Sequence, residues 1–249
     1  MANQFTKRDL KEHLSAEHNV SPLSEYLQEL VLGGVDGIVT TFAVVAGFTG
    51  AQSSEHVAGM SYLTVLLFGL ANLFGDAASM GLGNFLSIRA EQDRYAKERD
   101  HEVHEIHHNP ELEVKESMLL LQEKGFTKQQ ATKLVNVYKD NPEFWADFMM
   151  QYELEINDPR GMSPLFIGLA TFGSFMIFGF VPLLPYILLK DQPNAFIFAL
   201  TATASALFVL GVIRWRITKI NAKRSILETL ILGTIAASIA YIVGVFFRG

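Results

Sequence analysis

The sequence contains no cysteine among its 249 residues. Disulfide bonds and thiolate metal sites are therefore excluded, so any metal ligand must be an oxygen, an imidazole nitrogen or a methionine sulfur. Charged residues are also few, at 18% of the chain, whereas a soluble domain is about a quarter charged. Residues 1–20 lack the apolar core and cleavage site of a signal peptide, so we expect the first hydrophobic segment to be retained as a membrane anchor.

The sequence also lacks the patterns of common catalytic sites. We find no nucleophile–base arrangement and no nucleotide motif, and Gly81-Leu82-Gly83 has no third glycine three residues further on. We therefore expect no enzyme activity, no cofactor and no ATP-driven pumping.

Long hydrophobic runs are abundant instead. A helix needs about 20 mostly apolar residues to cross a bilayer. Five stretches meet this requirement: 31–51, 57–88, 164–189, 195–213 and 226–247. The sequence therefore predicts an all-α polytopic membrane protein with five transmembrane helices.

The acidic excess of the chain is confined to one polar block. Residues 91–160 contain 16 acidic and 9 basic residues. We predict that 91–161 forms a cytosolic helical metal-binding insert between the second and third transmembrane helices. The other predicted parts are an N-terminal cytosolic segment over 1–28, transmembrane helices 1 and 2 over 29–90, and helices 3 to 5 over 162–249.

Basic residues next to the apolar segments predict the orientation. Cytosolic loops are enriched in Lys and Arg. Such residues follow the second segment and separate the fourth from the fifth: Arg89, Arg94, Lys97, Arg99, Arg214, Arg216, Lys219, Lys223 and Arg224. We therefore expect a cytosolic N-terminus and insert, and a C-terminus on the opposite side.

The first two apolar segments each contain one carboxylate. A carboxylate in hydrocarbon costs about 2.5–3.5 kcal/mol on insertion scales, so Asp36 and Asp76 should face a bundle interior or water. Asn72, Asp76 and Met80 recur every four residues and share one helix face. Oxygen and thioether ligands suit a borderline ion such as ferrous iron. The alternatives are a structural hydrogen bond for Asp36 and simple packing for Met80.

The insert carries a second set of candidate ligands, distributed over three predicted helices. They are Glu102, Glu105, Glu113, Glu116, Met149 and Glu153. Carboxylates that converge from separate helices repel one another unless a cation lies between them, and helix bundles hold metals in this way. The alternative is a solvated acidic helix face. A stretch of four histidines admits both readings, as metal ligands or as exposed residues near a helix end: His101, His104, His107 and His108.

Four short stretches of the sequence carry a family resemblance: 33–37, 79–83, 141–150 and 181–186. Taken in order within five spans, they resemble the vacuolar iron transporter family, which exchanges ferrous iron, and often manganese, for protons. The resemblance covers about residues 25–247. It implies a homodimer of five-helix subunits with an ion pathway at the dimer axis.

The resemblance also implies roles for individual residues. Asp36 and Met80 match the lining of the family's ion pathway, and the six candidate ligands of the insert match its cytosolic metal ligands, with Met150 beside them. The chain departs from the plant members of the family at Asn72, where they carry a Glu, and at Asp76, where they have a small residue. The role of Asp76 is therefore inferred from its chemistry and position.

Together these observations favour a divalent metal transporter that moves ferrous iron out of the cytosol in exchange for protons. Manganese, zinc and cobalt suit the same ligands. A membrane-anchored metal sensor or store is the alternative, although an inert anchor has no reason to keep charges in two spans. A membrane di-iron oxidase is a third hypothesis, and it would need His ligands. The membrane is expected to be a prokaryotic cell membrane, or the vacuolar membrane in a eukaryote.

Overall fold

The computed structural model describes residues 6–17, 26–51, 62–189, 194–219 and 221–246. Over these residues every regular element is a helix, which confirms the all-α prediction. The elements are α1 (Lys7–Glu17), α2 (Leu27–Ala51), α3 (Tyr62–His108), α4 (Pro110–Glu123), α5 (Lys128–Lys139), α6 (Pro142–Tyr152), α7 (Pro164–Gly179), a 3-10 turn (Val181–Leu183), α8 (Leu184–Leu189), α9 (Ala195–Thr218) and α10 (Ala222–Phe246).

Five helical segments in the described part of the chain are long and apolar enough to cross a membrane. They are Leu27–Thr49, Leu63–His108, Pro164–Leu189, Ala195–Thr218 and Ala222–Phe246. All five predicted spans are confirmed, although residues 57–61 and 247 lie outside the described residues.

The second of these segments belongs to a helix that is longer than any bilayer requires. With 47 residues, α3 has a length of about 70 Å, whereas the hydrocarbon core is about 30 Å thick. Its apolar sequence ends at Ile88, and Arg89 begins a charged stretch. The part of α3 from residue 89 onward is therefore treated as lying outside the membrane, as the sequence predicts.

The chain divides into two compact units. The first comprises Met1–Asn84 and Leu165–Gly249 and contains the apolar helices, and the second is Phe85–Pro164. The domain boundaries expected at residues 28, 90 and 161 stay predictions.

Close backbone approaches hold the helices of the first unit together. A methyl group on Gly37 of α2 would lie 2.5 Å from the carbonyl oxygen of Phe175 on α7. One on Gly244 of α10 would lie 2.7 Å from the carbonyl oxygen of Gly47 on α2. Small residues permit this close packing between membrane helices. Asn84 of α3 donates to Thr171 Oγ1 of α7 at 2.7 Å and adds a polar contact.

The third span is not one continuous helix. It consists of α7, the 3-10 turn and α8, and the interruption falls at Val181–Leu183. Pro182 and Pro185 explain the break, because proline lacks the amide hydrogen and clashes with the carbonyl four residues earlier. The predicted span over 164–189 keeps its bounds, and the turn lies within it.

In the second unit, side chains cap two of the helix starts. Thr127 and Gln130 form a capping box at the start of α5, and the Asn141 side chain accepts from the amide of Phe144 at the start of α6. Pro110 occupies the first turn of α4, but the Asn109 side chain makes no cap hydrogen bond there. A small apolar core unites α3, α4, α5 and α6: Ile106, Leu121, Ala131, Val135, Trp145, Ala146, Phe148 and Met149.

Candidate metal centre

Three carboxylates of the insert converge on one point. Glu102 comes from the extension of α3, Glu113 from the first turn of α4, and Glu153 from the residue that ends α6. One oxygen of each lies within 4.8 Å of the other two. This spacing suits a single cation bound between the three groups, because carboxylate oxygens coordinate divalent ions at about 2.0–2.6 Å.

Burial distinguishes Glu102 and Glu113 from a solvated acidic face, whereas Glu153 is exposed. Glu102 is 6% exposed and Glu113 is 4% exposed. The Oε2 atom of Glu113 is buried and has no hydrogen-bond partner among the described residues. A buried, unpaired carboxylate oxygen is costly, and a bound cation would remove that cost. The solvated-face alternative therefore does not hold for these two residues, and their role as metal ligands stays a prediction.

The protonation of the cluster follows from burial and from mutual repulsion. Burial, followed by the charges on Glu102 and Glu116, raises the pKa of Glu113 to about 8. Burial and the charge on Glu153 raise the pKa of Glu102 to about 7. The pKa of Glu153 is raised as well, by partial burial of its carboxylate and by Glu116. In the absence of a cation, protons therefore partly neutralise the cluster near neutral pH, and a metal ion has to displace them.

The other predicted ligands of the insert lie in different surroundings. Glu116 is close enough for its charge to act on all three clustered carboxylates. Glu105 is engaged elsewhere: its Oε2 accepts from Asn109 Nδ2 at 2.6 Å, and its Oε1 lies 3.7 Å from His104 Nδ1. The hydrogen bond from Asn109 lowers the pKa of Glu105. The structure therefore does not bring Glu105 into the group of three.

Met149 lies one turn before Glu153 and is fully buried. Its sulfur accepts a hydrogen bond from Ser117 Oγ at 3.2 Å, and the same hydroxyl accepts from Trp145 Nε1 at 2.7 Å. Ser117 thus fixes the thioether and the indole together. Sequence reasoning missed this serine, although it lies four residues after Glu113 on the same face of α4.

In the membrane unit, the structure brings Asn72 and Asp76 to one cavity. Asn72 Nδ2 donates to Asp76 Oδ2 at 2.7 Å. Both side chains line an open cavity of about 830 Å³ between α2, α3 and α10, which Thr40 also lines. The rest of its wall is apolar or glycine: Ala43, Val44, Gly47, Phe48, Phe68, Ala71, Ala240, Val243 and Gly244. Asp76 is therefore the carboxylate that faces open space within the apolar helices.

Asp36 and Met80 are placed differently. Asp36 is half-buried on α2, and its carboxylate interacts electrostatically with that of Asp76. Its backbone carbonyl accepts from Thr40 Oγ1 at 2.8 Å. Met80 packs against the apolar core that contains Leu73 and Ala77. Neither residue is among those that line the cavity, so their roles in an ion pathway stay predictions.

Comparison with known proteins gives the family. A sequence profile of the VIT family matches residues 27–245. The chain belongs to the VIT family. It is 32% identical over 235 residues to vacuolar iron transporter 1 of Arabidopsis thaliana, which covers 94% of this chain and 90% of the relative. It is 33% identical over 251 residues to the vacuolar iron transporter of Toxoplasma gondii, covering 95% and 80% respectively.

A third relative is the vacuolar iron transporter of Plasmodium falciparum, 29% identical over 241 residues and covering 93% of this chain and 85% of the relative. The resemblance drawn from the motifs is therefore confirmed. Family membership and the five apolar helical segments together establish a multi-pass membrane protein.

An ion-pair network in this VIT family member also escaped sequence reasoning. Asp147 of α6 binds Arg99 of α3 through Oδ1 and Arg160, in the segment after α6, through Oδ2. Gln92 adds hydrogen bonds to the carbonyl oxygens of Pro159 and Met162. The network fixes the segment that follows Glu153, and thereby limits where that carboxylate can lie.

Proposed function

We propose that the chain carries ferrous iron, and also manganese, out of the cytosol in exchange for protons, and that it works as a homodimer. The observation that carries this proposal is the convergence of Glu102, Glu113 and Glu153 around a buried carboxylate oxygen that has no hydrogen-bond partner within the described residues. The relatives named vacuolar iron transporters support iron as the cargo.

The ligand chemistry supports this choice of ions. Carboxylate oxygens bind hard and borderline ions, and a thioether such as Met149 favours the borderline ones. The cluster and Met149 would therefore accept ferrous iron readily, with Glu116 as a further oxygen donor. Zinc and cobalt ions are the competitors to include in any assay.

Carboxylates in the apolar helices would perform the exchange. A carboxylate surrounded by hydrocarbon is tolerated when it is neutralised, either by a proton or by a metal ion. Asp76 faces the cavity of the membrane unit, and its charge acts on Asp36. We propose that these two groups bind the metal ion and protons alternately. Asp76 and Glu102 both belong to the helix α3.

The expected topology sets the direction. With the N-terminus and the insert in the cytosol and the C-terminus outside, the insert would collect the ion from the cytosolic side. In a prokaryote this would lead to export across the cell membrane, and in a eukaryote to storage in the vacuole.

The test is flux into proteoliposomes that contain the purified chain. Ferrous iron uptake under anaerobic conditions should increase when an imposed pH gradient drives protons in the opposite direction, and it should fall when manganese, zinc or cobalt competes. Asp36→Asn and Asp76→Asn should each abolish the dependence on the pH gradient. Asp93→Asn, at an exposed position on the α3 extension, is the control and should retain it.

The insert is tested separately. Glu102→Ala combined with Glu105→Ala should weaken metal capture while leaving the membrane helices folded. Metal binding without any flux in the unaltered chain would contradict transport and favour a membrane-anchored sensor or store.

A further inference from the structure

Two histidines form a stacked pair at the end of α3, outside the carboxylate cluster. His104 and His108 are one helical turn apart, and their ring centroids are 3.8 Å apart with an angle of 13° between the planes. Both residues are exposed. The spacing of residues 104–108, His-Glu-Ile-His-His, places two imidazoles on one helix face, as in helical zinc motifs.

The hydrogen bonds of the pair leave one nitrogen of each ring available. The Nδ1 atom of His108 lies 2.9 Å from the carbonyl oxygen of His104, to which it donates. The Nδ1 atom of His104 lies 3.7 Å from Glu105 Oε1. Histidine ligands in metal sites commonly direct one nitrogen to a carbonyl or a carboxylate and bind the metal through the other. In the part of the chain that the structure describes, neither Nε2 atom makes a hydrogen bond, so both are available to a metal ion.

We propose that His104 and His108 form a second metal site. It binds one divalent ion of the kind that imidazole nitrogens hold well, namely zinc, nickel or copper. The two Nε2 atoms are the protein ligands, and water completes the coordination. Two nitrogens bound tetrahedrally at about 2.0–2.1 Å are about 3.3 Å apart. The ion has to lie near the plane of each ring, so the two exposed rings rotate out of the stacked arrangement to direct both Nε2 atoms at one ion. The site is separate from the carboxylate cluster, and the inference stands whether or not the chain transports iron.

The two sites differ in the ions that they favour. Imidazole nitrogens bind copper, nickel and zinc more strongly than manganese or ferrous iron. The cluster offers oxygens from Glu102, Glu113 and Glu153. Copper, nickel and zinc would therefore be held at the histidine pair in preference to manganese and ferrous iron.

The experiment uses the full chain in detergent, with any affinity tag removed and with Glu102→Gln, Glu113→Gln and Glu153→Gln introduced to silence the cluster. Nickel ions are titrated in by calorimetry. We expect one nickel site. His104→Ala and His108→Ala should each weaken it by about tenfold or more, because a chelate becomes a single ligand. The double variant should lose the site.

His107→Ala is the matched control. Its ring lies on the neighbouring face and its Nδ1 bonds to the carbonyl oxygen of Val103, so nickel binding should be unchanged. A double variant that binds nickel as tightly as its parent would overturn the proposal, and so would an equal loss in His107→Ala.

A spectroscopic measurement on the chain with its carboxylates intact is independent of how the cluster variants fold. Copper bound at this site should show electron paramagnetic resonance couplings to two imidazole nitrogens, which disappear in the His104→Ala, His108→Ala chain. The same couplings in that double variant would contradict the assignment.

Discussion

Arg99 and Asp147 are joined by a 2.7 Å ion pair between Nε and Oδ1, while the second oxygen of the same carboxylate accepts from Arg160 Nη2 at 3.0 Å. Burial opposes ionisation of Asp147, but the hydrogen bonds from both arginines outweigh it and lower its pKa. Because this one side chain connects α3, α6 and the segment after α6, it stabilises the geometry around Glu153.

The first prediction concerns this carboxylate. Asp147→Asn should lower the stability of the insert by about 1–2 kcal/mol, because two charge-assisted hydrogen bonds are weakened at a side chain that is 36% exposed. Thermal unfolding can be followed through Trp145 emission in a Trp215→Phe background, since the chain has only two tryptophans. Asp140→Asn, at an exposed site on the neighbouring turn, should change little. Equal effects in the two variants would refute the role assigned to Asp147.

The second prediction is a dependence of insert stability on pH in the metal-free chain. The folded pKa of Glu113 is about 8 and that of Glu102 about 7, both raised above the ordinary value of 4.5. Between pH 4.5 and 8 the folded state therefore retains protons that the unfolded state has released, and stability falls as the pH rises through this window. Asp147 has a pKa below its ordinary value of 3.8 in the folded state. Its effect on stability is therefore confined to lower pH and adds nothing to the change between pH 4.5 and 8.

The measurement is the unfolding temperature of the insert from pH 5 to pH 9. It should decrease by several degrees up to about pH 8 and then level off. Glu113→Gln should flatten the curve, and saturating manganese should raise the unfolding temperature most at high pH, where fewer protons compete. If the unfolding temperature of the unaltered chain were as insensitive to pH as that of Glu113→Gln, the raised pKa values of Glu102 and Glu113 would be contradicted.

Much of the fold and part of the site could be predicted from the sequence. The spans follow from the length of apolar runs, and the starts of α5 and α6 follow from local cap chemistry at Thr127 and Asn141. Burial of Glu102 and Glu113 could not be read from periodicity, because an exposed acidic face has the same spacing. Family resemblance nevertheless placed both of them among the ligands.

The missed features depend on contacts between residues far apart in the chain. Arg99 and Asp147 are separated by 48 positions, and Ser117 and Met149 by 32, so no local pattern links them. The position of Glu105 was missed for a different reason. Asn109, which directly precedes α4, makes no cap hydrogen bond with its side chain. It donates to Glu105 instead, and thereby draws this carboxylate away from the other three.

The third prediction concerns Ser117. Ser117→Ala removes the acceptor of the buried Trp145 indole and the donor to the Met149 sulfur. Leaving a buried donor unpaired costs about 1–3 kcal/mol, so the insert should unfold at a lower temperature and the Trp145 emission should shift. Thr132→Ala is the control, because that exposed hydroxyl bonds only within α5. If Thr132→Ala lowered the unfolding temperature and Ser117→Ala did not, the role assigned to Ser117 would be excluded.

The last prediction tests the close approach of α2 and α7. Gly37→Ala would place a methyl group 2.5 Å from the carbonyl oxygen of Phe175, and backbone cannot move aside as a flexible side chain can. We expect a loss of about 1–3 kcal/mol from overpacking, offset in part by about 1 kcal/mol of better helix propensity. Gly173→Ala on α7 is the matched control, since nothing lies within 4 Å of its added methyl group, and it should be neutral or stabilising. The readout is the fraction of chain that remains monodisperse in size-exclusion chromatography after heating in detergent. If Gly37→Ala survived heating as well as Gly173→Ala, the two helices would have to be further apart than these contacts require.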